Sequence, residues 1–332
     1  MNHSIVWRDK NIYASFPSLV IVKDKLYCAF RVAPTKRSKT HIDTRSTALV
    51  LSSLDNGDTW QHYLEVEAPG SFAGLQDPVL SHAENELIVS FYSWKSRIGK
   101  YTKKRRNVIS QGLFLRSLKD GKVGACNRIS GNAAIQFVGR APIEEVDCTK
   151  LLPVYADVGG GGTCCFVLEW DLPTQTRWTI RSRIAHDQVL DFTEPTIVDC
   201  GNRHVLCILR GSDGQLYQTH SWDSGKTWEP HRATGMFGAP ASLCHLGKAG
   251  NYTTILCTYG YRRAPYGVRA CLSYDSGLTW DTRREIIIRA DGGGWDLGYP
   301  STVRVGSDLL TAYYFYTKRD KTRRIELTRW KV

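Results

Sequence analysis

Short apolar runs separated by polar turns dominate this chain. Six segments open on one signature, a residue followed by proline and then an apolar stretch: Phe16-Pro17, Asp77-Pro78, Ala141-Pro142, Glu194-Pro195, Ala239-Pro240 and Tyr299-Pro300. Most continue through a turn into a second apolar run, as in PSLVIV–KDK–LYCAFR, PTIVD–CGNR–HVLCILR and PSTVRV–GSD–LLTAYYFY. Proline is tolerated at the first residue of a strand, so each signature predicts a strand start followed by a hairpin.

A second marker is independent of the first. Three segments match S-x-D-x-G-x-T-W: Ser53 to Trp60, Ser221 to Trp228 and Ser273 to Trp280. Each reads as a turn. Aspartate accepts hydrogen bonds from the backbone ahead of it, glycine supplies positive φ, and tryptophan packs back under the hairpin. Ser221 and Ser273 are 52 residues apart, and stepping back by 52 lands on Glu169 and then Ser117, both in turn-like stretches that read as decayed copies. Units of this length divide the chain into six. Each unit holds a strand start, a hairpin and a third strand that ends at the aspartate turn. The expected fold is therefore all-β, a six-bladed β-propeller with four-stranded antiparallel blades, in one domain over residues 1–332. The opening segment HSIVW is expected to add an outer strand to the last blade.

Composition agrees. The chain has 332 residues, 42% of them apolar, with 10 Trp, 16 Tyr and 29 Gly, which excludes disorder. No apolar run approaches the roughly 18 residues of a membrane span. The N-terminal MNHSIVWRDKN has no basic-then-apolar signal pattern, so a cytoplasmic location is the expectation. Ten scattered cysteines fit free thiols, and none has zinc spacing. Gly159 to Gly162 lacks the lysine of a phosphate cradle, so neither metal nor cofactor is expected. The basic stretches Lys95 to Arg106 and Lys318 to Arg324 read as solvated loops. The net charge of +12 is spread without a nucleic-acid motif, so no nucleic-acid partner is expected.

In a propeller, the starts of the innermost strands meet at a central funnel. Phe16, Asp77, Ala141, Glu194, Ala239 and Tyr299 then converge, and Asp77 and Glu194 either cap strand ends or carry chemistry. The second strand returns to the same funnel and ends at Arg31, Arg210 and Arg262 in the first, fourth and fifth units. A planar guanidinium suits a carboxylate, and arginine is costly to bury unpaired. Arg269 competes with Arg262, and Arg140 is another nearby cation.

These turns, the six-fold count and the Glu, Tyr and Arg positions resemble the exo-sialidase (neuraminidase) superfamily over essentially the whole chain. The resemblance implies a tyrosine nucleophile at Tyr299 in LGYPSTV, its partner Glu194, and an acid/base Asp43 in THIDTRS. It also implies three arginines holding a substrate carboxylate, among Arg31, Arg210, Arg262, Arg263 and Arg269, with Asp77 on the substrate. One departure stands out. The family opens its first strand with Arg-Ile-Pro, and here the sequence is Ser15-Phe16-Pro17. A hairpin turn near Asp24 brings Arg31 beside Ser15, so Arg31 is expected to supply the missing guanidinium.

The implied activity is retaining exo-hydrolysis of a terminal sialic acid, or of a related nonulosonic or ulosonic acid, from an acidic glycan. A neutral phenol avoids the repulsion that a carboxylate nucleophile would meet at an anomeric carbon bearing its own carboxylate. Two alternatives remain: hydrolysis or β-elimination of another acidic sugar, and a non-catalytic carbohydrate-binding propeller.

Overall fold

The computed structural model describes residues 1–34, 41–83, 85–96, 108–129, 135–159, 162–171 and 177–332. Its first strand, β1 (Asn2–Trp7), is followed by β2 (Ile12–Val22), β3 (Lys25–Pro34), β4 (Thr47–Ser53) and β5 (Gln61–Val66), which form blade 1. Blade 2 holds β6 (Ala73–Ala83), β7 (Glu86–Ser96), β8 (Val108–Lys119) and β9 (Lys122–Ile129). Blade 3 holds β10 (Glu144–Val146), β11 (Thr149–Asp157), β12 (Thr163–Asp171) and β13 (Arg177–His186). Blade 4 holds β14 (Phe192–Gly201), β15 (His204–Gly211), β16 (Gln215–Ser221) and β17 (Arg232–Phe237). Blade 5 holds β18 (Ala241–Ala249), β19 (Tyr252–Tyr261), β20 (Gly267–Ser273) and β21 (Ile286–Arg289). Blade 6 joins β22 (Gly298–Val305), β23 (Asp308–Phe315) and β24 (Arg324–Trp330) to β1, the outer strand expected from the opening segment.

All pairings are antiparallel, and the described residues build a six-bladed β-propeller. The core is divided among the blade interfaces. One apolar cluster sits between each neighbouring pair, from Phe30 and Leu51 against Leu310 and Leu327 to Leu256 and Val268 against Leu309 and Phe315. No blade buries both faces alone, so the closed ring is the cooperative unit. Among the described residues no helix is long and apolar enough to cross a membrane.

The aspartate turns join the third and fourth strands of blades 1, 4 and 5. In blade 5, Ser273 Oγ accepts from Gly277 N at 2.8 Å, and Asp275 Oδ1 accepts from Thr279 N at 2.8 Å. Two of the three tryptophans do more than pack under their own hairpins. Trp228 Nε1 donates to Ser182 Oγ of blade 3 at 3.0 Å, and Trp280 Nε1 donates to Gln218 Oε1 of blade 4 at 2.6 Å. These two turns therefore tie their blades to the preceding ones, whereas Trp60 Nε1 donates to Gly57 O of its own turn at 3.1 Å. At the decayed copy near Ser117, the blade 2 strands instead join through Asp120 and Gly121, at φ 51° and 71°. The turn after Glu169 and the greater part of Lys95 to Arg106 lie outside the described residues, as does part of the Gly159 to Gly162 run.

Two expectations need correction. The stretch Lys318 to Arg324 is not wholly a solvated loop: Arg324 is buried and bonds Glu326, and Arg323 reaches Asp296. The prolines do not all open strands either. Pro17, Pro78, Pro195 and Pro300 lie inside β2, β6, β14 and β22, at register shifts where a missing N–H costs no ladder bond.

Gly277 has φ +83°, and a Cβ there would lie 2.5 Å from Leu206 of blade 4. Gly121 has φ +71° with nothing within 4 Å. Gly277→Ala should therefore lose more stability than Gly121→Ala, by about 1–3 kcal/mol of overpacking beyond the shared backbone strain. Urea unfolding of the two variants checks this, and equal losses would contradict the interlock.

Candidate active site

The site begins with one backbone device used four times. In blades 1, 2, 4 and 6 the innermost strand slips register by one between Ser15 and Ser18, Gln76 and Val79, Thr193 and Thr196, and Gly298 and Ser301. At each slip the residue before proline has positive φ: Phe16 at 58°, Asp77 at 45°, Glu194 at 50° and Tyr299 at 49°. Proline normally pushes its predecessor to extended backbone, and non-glycine residues rarely hold this conformation. Each instance costs on the order of 1–3 kcal/mol. A bulge re-aims the side chain it carries, and these four are turned to one place. Ala141 and Ala239 occupy the matching positions of blades 3 and 5 without this conformation.

Contacts among the four are direct. Tyr299 Oη donates to Glu194 Oε1 at 2.5 Å, and Arg210 Nη1 donates to Glu194 Oε2 at 2.9 Å. The Phe16 ring meets the Tyr299 ring edge-on at 4.6 Å. Asp77 is buried, and its Oδ1 has no partner among the described residues. Burial and then the charge of Glu194 push its carboxyl up to about 7, against the pull of Arg140, Arg31 and Arg210. Burial would raise Glu194 as well. Arg210, the Tyr299 hydroxyl and Arg262 outweigh it and hold Glu194 below the ordinary carboxylate range. Tyr299 is pushed well above a free phenol, by burial first and then by Glu194 and Asp77. The resting pair is thus a neutral phenol donating to an anionic carboxylate.

Four guanidinium groups surround the two carboxyl groups. Ser15 pairs with Arg31 in the β2–β3 ladder, and Thr193 pairs with Arg210 in the equivalent β14–β15 ladder. Arg31 therefore lies beside Ser15, as its hairpin register predicts. It is fully buried, its Nε donates to Leu75 O at 3.2 Å, and neither Nη has a partner among the described residues. Arg262 follows the end of β19, with its guanidinium carbon 5.1 Å from the Tyr299 ring centre. Its Nε and Nη2 are likewise unpaired. Arg140 donates to Pro17 O at 3.1 Å and Tyr299 O at 3.4 Å, and its Nε is unpaired. An unpaired buried donor costs about 1–3 kcal/mol, and five such nitrogens on three arginines are donors suited to an anion.

Three sequence-selected residues have other partners. Arg269 pairs with Glu285 and stacks on Tyr261, with its guanidinium carbon 3.3 Å from the ring centre, and it does not join the group around Tyr299. Arg263 stacks on Phe237. Asp43 is buried near Arg31, but both its oxygens accept from Arg45, Oδ1 at 3.0 Å and Oδ2 at 2.8 Å.

Sequence reasoning missed Tyr92, Tyr155 and Tyr314. Tyr92 pairs with Gln76 and Tyr314 with Gly298, at the register position that carries Arg31 and Arg210. The Tyr92 and Tyr155 phenols feel the charges of both Asp77 and Glu194. Reading the returning strand of every unit, not only those with arginine, would have found them. Asp296 was also missed. It accepts from Tyr13 at 2.9 Å, Tyr314 at 3.0 Å, His41 at 3.1 Å and Arg323 at 3.1 Å.

Asp77 generates a pH prediction. Its carboxyl is raised in the fold, so the folded state holds that proton more tightly than the unfolded chain does. The burden of the charge is absent at low pH, grows above the unfolded pKa and is complete above about 7. Asp77→Asn should therefore raise stability at both pH values, by clearly less at pH 5 than at pH 8. The upper limit of the gain is on the order of 4 kcal/mol. Thermal melts at both pH values check this, and a gain confined to pH 5 would contradict it.

A family model for the BNR repeat-like domain matches residues 43–310. No curated protein matches the chain. Among solved structures, a protein of unknown function from Dyadobacter fermentans DSM 18053 superposes with TM-score 0.86 at 23% identity, covering 99% of this chain and 98% of that one. Trypanosoma rangeli sialidase in complex with the inhibitor DANA superposes with TM-score 0.68 at 15% identity, covering 96% of this chain and 55% of that one. The intramolecular trans-sialidase of Ruminococcus gnavus, in complex with oseltamivir carboxylate, gives TM-score 0.70 at 12% identity, with 99% and 96% covered. These likenesses establish a shared propeller fold. With the family model spanning most of its length, the chain belongs to the BNR repeat-like domain family.

Proposed function

We propose that the protein is a retaining exo-glycosidase that releases a terminal sialic acid, or a related nonulosonic or ulosonic acid, from an acidic glycan. The observation that carries this reading is the chain from Tyr299 through Glu194 to Arg210, set beside buried guanidinium groups with unpaired donors. The sialidase and trans-sialidase folds of the Trypanosoma and Ruminococcus proteins support it.

The substrate carboxylate accepts hydrogen bonds from Arg31, Arg210 and Arg262. This satisfies the unpaired nitrogens of Arg31 and Arg262, so binding energy is concentrated on that one group. The new anion also competes with Glu194 for Arg210. The pull that keeps Glu194 acidic weakens, and Glu194 becomes the better base for the Tyr299 proton. Tyr299 Oη attacks the anomeric carbon as its proton passes to Glu194 Oε1. Charge developing on the sugar ring faces the carboxylates of Glu194 and the substrate. Water then displaces the phenol from the opposite face, the one the leaving group vacated, and two inversions give net retention. Asp77, with an unpaired oxygen in the pocket, binds a substrate hydroxyl. A net charge of +12 favours the approach of an anionic glycan.

A fluorogenic sialoside and the matching ulosonic glycosides test the reading. Wild type should release the sugar with retained configuration, and Tyr299→Phe should lower kcat/KM about a thousandfold. Arg31→Met should lower it about a hundredfold, through loss of two charge-assisted bonds. An unsaturated product absorbing in the near ultraviolet, or binding without turnover, would overturn hydrolysis. Wild-type kinetics in Arg31→Met would remove Arg31 from the clamp.

A further inference from the structure

The proposed carboxylate clamp uses three of the four guanidinium groups around Asp77 and Glu194. The fourth, Arg140, has no part in it. Its place in the fold follows from blade 3, which lacks a left-handed residue before its proline and whose innermost strand β10 has only 3 residues. The chain ahead of β10 is pinned at both ends. Val138 and Tyr155 exchange backbone hydrogen bonds at 2.8 and 2.9 Å, and Ile143 N donates to Ser81 Oγ of blade 2 at 2.9 Å. Between these anchors Arg140 reaches across the ring to the inner strands of blades 1 and 6. We propose that Arg140 is the positioning residue of the nucleophile, holding the Tyr299 bulge so that the phenol stays on Glu194; the inference rests on the glycosidase reading above.

Three contacts carry the claim. Arg140 Nη2 donates to Tyr299 O at 3.4 Å and to Pro17 O at 3.1 Å. Both carbonyls lie at register slips, where the β22–β23 and β2–β3 ladders are interrupted. The guanidinium carbon also lies over the Tyr299 ring, 5.3 Å from its centre. One side chain thus touches both the backbone and the ring of the nucleophile. By holding Pro17 it also fixes Phe16, whose ring meets the Tyr299 ring edge-on at 4.6 Å. The left-handed backbone of Tyr299 costs on the order of 1–3 kcal/mol and persists only where its neighbours over-determine it. Arg140 is nine-tenths buried, so water does not replace it at these carbonyls. Without it the bulge relaxes, and a displacement of about 1 Å at a reacting atom costs on the order of a hundredfold in rate.

The charge of Arg140 stays available to the phenol. Arg262 lies as near to the Tyr299 ring, at 5.1 Å, but in the proposed complex it faces the substrate carboxylate. Arg140 hydrogen-bonds only neutral carbonyls among the described residues. In the second step the bond from the anomeric carbon to Tyr299 Oη breaks. Its electron pair stays on Oη until Glu194 returns the proton. A desolvated guanidinium over the ring favours that charge.

Two substitutions test this, on sialoside hydrolysis and on calorimetric binding of an unsaturated sialic acid analogue. Arg140→Lys keeps the charge and a donor for one carbonyl but loses the fork that spans two. It should lower kcat about tenfold while the analogue Kd stays within about threefold of wild type. Arg140→Met removes charge and donors together and should lower kcat about a hundredfold, with Kd again within about threefold. Should Arg140→Met not fold, Arg140→Lys decides alone, since it keeps the buried charge. Wild-type kcat in Arg140→Lys would overturn the positioning role, as would a smaller loss in Arg140→Met than in Arg140→Lys. Analogue affinity that falls in step with kcat would overturn it too, by placing Arg140 in the carboxylate clamp. Each of these results leaves the glycosidase reading intact. Absence of release by wild type from every glycoside would overturn both.

Discussion

Four left-handed residues in front of proline are the constraint on which the rest of the site depends. An extended residue at Phe16, Asp77, Glu194 or Tyr299 would keep the strand in register and lay its side chain on a sheet face. The bulge turns each of them out of the sheet, and repetition in four blades brings them together. Such backbone persists only where its surroundings over-determine it. Here the apolar interfaces between blades fix the strands on both sides, and Arg140 clasps the carbonyls of Pro17 and Tyr299 across two of the bulges.

The second feature is electrostatic. Four guanidinium groups face two carboxyl groups, and among the described residues only Glu194 of those carboxyls is ion-paired with one of them. Arg31 is deeply buried with both Nη atoms unbonded, a condition a stable fold tolerates when a ligand supplies the acceptor. The same field keeps the Tyr299 phenol neutral beside an anionic Glu194. The cluster thus suits a ligand that brings its own negative charge, and the neutral Tyr299 phenol does not repel that charge.

Much of this was legible in the sequence, for a physical reason. Aspartate turns and residue–proline bulges are local devices, spelled out in a few consecutive residues, and their repetition reveals blade number and register. The place of Arg31 followed from counting a hairpin from Ser15. What the sequence hid depends on distant partners. Arg262 and Arg269 look equivalent until Glu285, 16 positions beyond Arg269, takes the latter. Asp43 looks free until Arg45 folds back on it. His41 and Asp296 are 255 positions apart and meet only because blades 1 and 6 close the ring. Tyr92 and Tyr314 were hidden differently, since tyrosine in a strand reads as packing unless its register is compared across blades.

The most direct measurement of the central claim is a crystal structure of the protein soaked with an unsaturated sialic acid analogue. The account predicts the ligand carboxylate within about 2.7–3.2 Å of nitrogens of both Arg31 and Arg262, with the anomeric carbon beside Tyr299 Oη. A carboxylate bound elsewhere, with the Arg31 Nη atoms still unpaired, would contradict it.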